Sequence, residues 1–196
     1  MTRFLPLLLS ALALLASAAS FAATPAAKLP SDSLYQVAAP MVDQSGRSLA
    51  WRDLRGRPRV VSMFYTSCPY MCPLIIDSGK AIEHALTAKE QARLGITLIS
   101  LDPKRDNPRA LAALATKRKL DPARWSLLRP AERDVRALAG VLGIRYRALA
   151  DGEFNHTSVL ILLDAEGREL ARTEQIGSRP DPEFLAAVHR ALAALR

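Results

Sequence analysis

The chain has 196 residues, 49% of them hydrophobic and 23% charged, which is enough for one well-buried domain and too short for two ordinary ones. Lysine and arginine outnumber aspartate and glutamate by 27 to 19, giving a formal net charge of +8, but the arginines are scattered rather than gathered in one run. With no platform of interleaved aromatic and basic residues and no zinc-finger spacing, this composition argues against a nucleic-acid binder.

Residues 1–23 begin with Arg3, run apolar from Phe4 and end in small residues at Ala22 and Ala23. That is the pattern of a signal peptide, or of an uncleaved anchor attaching the chain to a membrane through residues 4–23. No cysteine stands nearby to carry a lipid. Either form sends the chain out of the cytoplasm, to the periplasm, where thiols tend to oxidise.

Residues 24–33 read as a linker, and 34–196 as one domain. A first short strand is expected near Leu34–Val37, then a hairpin turning at Gln44-Ser45-Gly46. Arg59 to Tyr65 is a β-branched and aromatic run, a buried strand. A helix follows from Cys72 to about Leu94, with Leu74, Ile75, Gly79, Ile82 and Leu86 on one stripe, and Gly95 ends it. "ITLISLD" is a second buried strand. Asn107 caps the next helix, with Pro108 at its first position. A short strand over Arg124–Leu128, a helix from Ala131 to Leu142, and "IRYRAL" come next. The chain closes with two strands around a turn at Glu166-Gly167 and a helix from Pro182. This order predicts an α/β fold: a central mixed sheet flanked by helices, parallel strands joined by crossovers, and an antiparallel edge. It is the order of a thioredoxin-like fold of the peroxiredoxin type with an N-terminal extension.

The two cysteines, Cys68 and Cys72, directly follow the first buried strand, and a proline follows each. At the junction of strand and helix, backbone N–H groups and the positive helix end favour thiolate over thiol. A thiolate serves as nucleophile and as soft-metal ligand alike, so a redox pair and half of a copper site both remain open. A purely structural disulfide is a poor staple here, because it closes a very small loop. A peroxidase needs a threonine three residues before its cysteine, and Thr66 is two before Cys68.

A metal site needs further donors. His84 lies mid-helix and His189 in the last helix, both read as surface or packing residues. His156 precedes "TSVLILLD" and is expected in a loop at the mouth of a strand, where binding residues collect. Met63 reads as core, whereas Met71, between the cysteines, is a candidate auxiliary contact.

"FYTSCPYMCP", "LDPKRDNP" and "HTSVLILLDAEG" together resemble the Sco/SenC family of copper-binding thioredoxin-like proteins. The resemblance covers most of the chain after Leu34. It implies copper, Cu(I) or Cu(II), held by Cys68, Cys72 and His156, with a redox-linked disulfide between the cysteines. Asp102, Pro103, Arg105 and Asp106 match the family's supporting loop. Many members carry aspartate before the histidine, where this chain has Asn155, which keeps hydrogen bonding and loses the charge. The implied function is that of a non-enzymatic chaperone assisting assembly of the CuA centre of cytochrome c oxidase, its partner the CuA-bearing subunit or another periplasmic copper acceptor. The alternative is a thiol–disulfide reductase of the acceptor's cysteines, with Cys68 and Cys72 as the catalytic pair.

Overall fold

The computed structural model describes residues 28–195. The leader over 1–23 lies outside the described residues, as does the first part of the linker. A 3-10 turn at Leu34–Gln36 precedes strands β1 (Pro40–Asp43) and β2 (Ser48–Ala50), and a second turn at Trp51–Leu54 precedes β3 (Arg59–Phe64). Helices α1 (Met71–His84) and α2 (Ala88–Gln91) lead to β4 (Gly95–Ser100), and α3 (Pro108–Arg118) leads to β5 (Trp125–Pro130). Then come α4 (Val135–Val141), β6 (Tyr146–Ala148), β7 (Phe154–His156), β8 (Leu160–Leu163), β9 (Glu169–Thr173) and α5 (Pro182–Ala193).

Seven strands form one sheet in the order β2-β1-β5-β4-β3-β8-β9. β3, β4 and β5 run parallel, joined by the α1–α2 and α3 crossovers, while β1 and β8 are antiparallel to β5 and β3. All six residues of β3 and of β4 are buried, which is why these strands read as continuous apolar runs rather than as alternating ones. The arrangement is the thioredoxin-like α/β fold that the element order predicts. β6 and β7 stand apart as a two-stranded ribbon. No helix among the described residues is long and apolar enough to cross a membrane.

Several expectations need correction. Leu34–Gln36 is a 3-10 turn and not a strand, because the Ser33 hydroxyl accepts from Tyr35 N–H and turns the chain. Tyr35 is thereby driven into the core, its ring 4.9 Å from that of Trp51. The long helix from Cys72 is two helices. α1 stops at His84, and Thr87 opens α2 with a reciprocal capping box to Glu90, a stronger local signal than continued apolar spacing. Residues 131–134 form a cap and 3-10 turn, so α4 starts only at Val135. β5 runs two residues past Leu128, held by its pairing with β1 (Met41 opposite Pro130). The Asn107 cap, with Pro108 at the first position of α3, is as the sequence predicts, the side chain accepting from Ala110 N–H at 3.0 Å.

The core lies between the sheet and its helices. α1 seats on β5 where Gly79 meets Trp125: a Cβ there would stand 2.6 Å from Trp125 Cη2. The same indole donates from Nε1 to Glu83 Oε2, one helical turn on, at 3.2 Å. This packing fixes the axis of α1, and so the position of its N-terminal end, where the cysteines are.

Candidate metal centre

β3 ends at Phe64, the chain turns through Tyr65–Pro69, and α1 starts at Met71. Pro73 sits in the first helical turn, where a missing N–H costs nothing. Tyr70, at the N-cap, has no side-chain cap bond. The Cys68 sulfur serves the helix end instead, accepting from Cys72 N–H at 3.3 Å. The Cys72 sulfur in turn accepts from Tyr65 N–H at 3.4 Å. Both cysteines are free thiols, Cys68 half-buried and Cys72 buried.

Their environments push them apart. Burial opposes ionisation of Cys68, but hydrogen bonds from the Cys72 N–H and thiol and from the Tyr70 N–H outweigh it and hold the thiol below its ordinary 9.0. Burial pushes the Cys72 thiol well above that value, and the neighbouring Cys68 and Asp106 add to the effect against the Tyr65 N–H. The result is one accessible, thiolate-prone sulfur and one sealed thiol.

His156 approaches from the β6–β7 ribbon. The sequence places it in a loop; it is the last residue of β7, paired with Tyr146. Its Nδ1 lies 3.1 Å from the Thr157 carbonyl. A carbonyl only accepts, so Nδ1 carries the proton and Nε2 the lone pair. Burial lowers the ring's pKa below 6.5, against that hydrogen bond. A neutral imidazole of fixed tautomer is the form a metal needs.

Tyr65, which the sequence marks only as the end of a strand, joins the two halves. Its hydroxyl donates to Glu153 Oε2 at 2.9 Å and accepts from Phe154 N–H at 3.3 Å. Its ring lies 6.0 Å from that of His156. A tyrosine closing a buried strand beside a reactive turn is the signal that could have found it.

The loop after β4 supplies a second brace. Buried Asp106 accepts from the Thr66 N–H at 3.1 Å, from the Thr66 hydroxyl, and from the Ser100 hydroxyl at 2.6 Å. Asp102 pairs with Arg105, and Arg105 donates to the Gly152 carbonyl in the turn of the ribbon. Asp102 thus reaches the ribbon through Arg105 and makes no hydrogen bond to either cysteine. Asn155 is exposed on β7, opposite Arg147. His84 is exposed at the end of α1, and His189 pairs with Glu90 Oε1 at 2.8 Å, so neither belongs to the site.

A cavity of about 360 Å³ on one side of Cys68 is lined by Tyr65, Cys68, Met71, Phe154, Asn155 and His156. A second, of about 230 Å³, has Cys68, Cys72, Leu114 and Arg118 in its walls. Cys68 therefore faces both its partner thiol and the histidine. Among the described residues, no three His, Cys, Asp or Glu side chains stand close enough together to hold a metal ion. The sulfurs of Cys68 and Cys72 and the imidazole nitrogen of His156, on two cavities that share Cys68, are nonetheless the donor types that soft Cu(I) takes.

A protein of Stutzerimonas stutzeri carrying the provisional name of a copper-binding protein is 31% identical over 71 residues, 36% of this chain. The match spans 35% of that relative's own length. Among solved structures, Bradyrhizobium japonicum ScoI with copper bound aligns with a TM-score of 0.67 at 22% identity, covering 79% of this chain and 98% of its own. BsSco, described as a member of the Sco family of cytochrome c oxidase assembly proteins and in terms of a disulfide switch, aligns at 0.66 and 21% identity over 79% of this chain and 91% of its own. The dithiol turn, the aspartate–arginine loop and the histidine ribbon all fall within residues 33–193, the span matched by the SCO1/SenC family model, and the chain belongs to that family.

Proposed function

We propose that the protein is a periplasmic copper chaperone that holds copper through Cys68, Cys72 and His156 and delivers it to the CuA-bearing subunit of cytochrome c oxidase or another periplasmic copper acceptor. The observation that carries this reading is the placement of His156, a neutral imidazole with Nε2 as its lone-pair nitrogen, in the same cavity wall as thiolate-prone Cys68. Copper is the cargo. The cysteines supply soft, anionic donors and the imidazole a neutral one, and the partly open site lets acceptor ligands add before the donor's leave. The copper bound to ScoI and the assembly role stated for the family of BsSco favour the same reading. Export is supported by the leader pattern of residues 1–23. Copper titration of the reduced chain is expected to give tight binding of one ion. His156→Ala is expected to weaken it by about 10-fold or more, the scale reached even by residues that only support a ligand, and Cys68→Ser/Cys72→Ser to abolish it. Binding indifferent to His156 sinks the three-ligand reading.

A second reading is favoured by the opposed environments of the two thiols. In a thiol–disulfide reductase, the Cys68 thiolate attacks one sulfur of a partner disulfide, and the partner's other sulfur leaves and takes up a proton. The Cys72 thiol gives up its proton and attacks the Cys68 sulfur, releasing the partner's second sulfur. Two electrons pass to the partner and a Cys68–Cys72 disulfide remains. This activity needs both cysteines and not His156, so His156→Ala separates the two readings in the same set of variants.

A further inference from the structure

Three methionines lie among the described residues. Met41 and Met63 are 2% and 0% exposed and fill the core, as unbranched thioethers usually do. Met71 is 39% exposed, at the first position of α1 and between the two cysteines. Neighbouring Tyr70 and Leu74 are also exposed, so nothing in the fold draws this side chain inward.

Met71 lines the 360 Å³ cavity together with Cys68 and His156. Cys72 is absent from that wall; it is buried and opens instead on the smaller cavity across Cys68. On the open side, then, the sulfur and nitrogen donors in the wall are a cysteine sulfur, a thioether and an imidazole, beside the Glu153 carboxylate, which accepts from the Tyr65 hydroxyl at 2.9 Å. The rest of the wall is mostly apolar, from Tyr65, Pro69, Tyr70, Leu149 and Phe154, with Asn155 the other polar side chain. Two soft sulfurs and one nitrogen in largely apolar surroundings suit Cu(I), and poorly suit ions that want oxygen donors. A thioether is neutral and binds weakly, and its three rotatable bonds let it follow an ion without moving the backbone.

We propose that Cys68, Met71 and His156 form a second coordination mode for Cu(I), occupied as the ion enters or leaves, with Cys72 replacing Met71 in the stored state. The proposal rests on the copper-chaperone reading and adds a route to it. Met71 keeps copper coordinated while the buried sulfur is exchanged, so the ion is never held by two donors alone. It also explains why an apolar side chain is left uncovered at this point of the helix.

The test uses the full chain, reduced, labelled with selenomethionine and loaded with one equivalent of Cu(I). In Cys72→Ser, copper-edge X-ray absorption is expected to show a selenium neighbour, and Met71→Leu in the same background to remove it. Met71→Leu is also expected to weaken Cu(I) in that background by about tenfold or more, in competition with a Cu(I) chelator, since even residues supporting a ligand are worth that much. Absence of copper–selenium scattering in Cys72→Ser, or equal affinities with and without Met71→Leu, overturns the proposal while leaving the chaperone reading intact. A wild-type chain that binds no Cu(I) overturns both. Should Cys72→Ser fail to fold, the single variant Met71→Leu decides. Met71 is exposed and leucine nearly conserves its volume. Release of copper to the chelator is expected to slow about tenfold, and an unchanged rate overturns the proposal.

Discussion

Gly79 is a small residue with a large positional effect. On the sequence it is one more member of an amphipathic stripe. In the fold it is the point at which α1 meets the Trp125 ring, and any Cβ must displace that ring or the helix. Gly79→Ala gains helix propensity of about 1 kcal/mol, but overpacking a buried contact costs roughly 1–3 kcal/mol. Both Trp125 and the helix are also pinned through Glu83, which leaves little room to relax. The expected outcome is a net loss of stability, read as a lower thermal midpoint, together with altered Trp125 fluorescence. An unchanged midpoint shows that the ring moves freely. Cys68, Cys72 and His156 were legible at this scale because their chemistry marks them. Tyr65 and Gly79 were not, since their importance comes from what they touch across long stretches of chain.

Among the elements, the β6–β7 ribbon is outside the main sheet and has only three residues per strand, too few to be stable alone. It is held by cross-links: Arg105 to the Gly152 carbonyl, and the Tyr65 hydroxyl to Glu153 and Phe154. Arg105→Ala is expected to accelerate amide hydrogen exchange in Tyr146–Ala148 and Phe154–His156 while β3 and β4 stay protected. Equal acceleration in the sheet would show that the arginine stabilises the whole domain instead. Strands β3, β4, β8 and β9 were readable from their apolar runs, and the α3 cap from Asn107-Pro108. The break between α1 and α2 was hidden because the apolar stripe continues across it. The ribbon strand β7 was hidden because three residues show no periodicity, so His156 read as loop.

For the whole molecule, the two thiols make stability depend on pH in opposite senses. Cys68 has a lowered folded pKa, so its contribution is fully present above 9.0 and is lost as pH falls through the folded value. Cys72 has a raised folded pKa, so above 9.0 the unfolded chain has shed a proton that the native state keeps. Stability then falls as pH rises, by up to about 1.4 kcal/mol per pH unit. Tyr35, pushed up to about 12 mainly by burial, continues the decline above 10.0. Denaturant titrations of the reduced chain are expected to show Cys72→Ala removing the decline just above 9.0, and Cys68→Ala removing the rise just below it. Curves parallel to wild type in both variants refute the assignment. The mixed sheet and its flanking helices followed from the element order, and the family membership agrees with the motif resemblance. The opposed character of the thiols did not follow, because burial is a property of the closed fold.

The place of β3 in the sheet sets a timetable for that closure. Val61 pairs with Thr97 on one side and with Ile161, a hundred residues further along, on the other. A ribosome adding about 5–20 residues per second needs roughly 5–20 s to cover that interval. Throughout it the strand leading into the dithiol turn has one open edge, and the core that buries Cys72 is unfinished. The burial that sets Cys72 apart is complete only when the last third of the polypeptide arrives, so an oxidant that reaches the nascent chain earlier meets a second thiol not yet sealed.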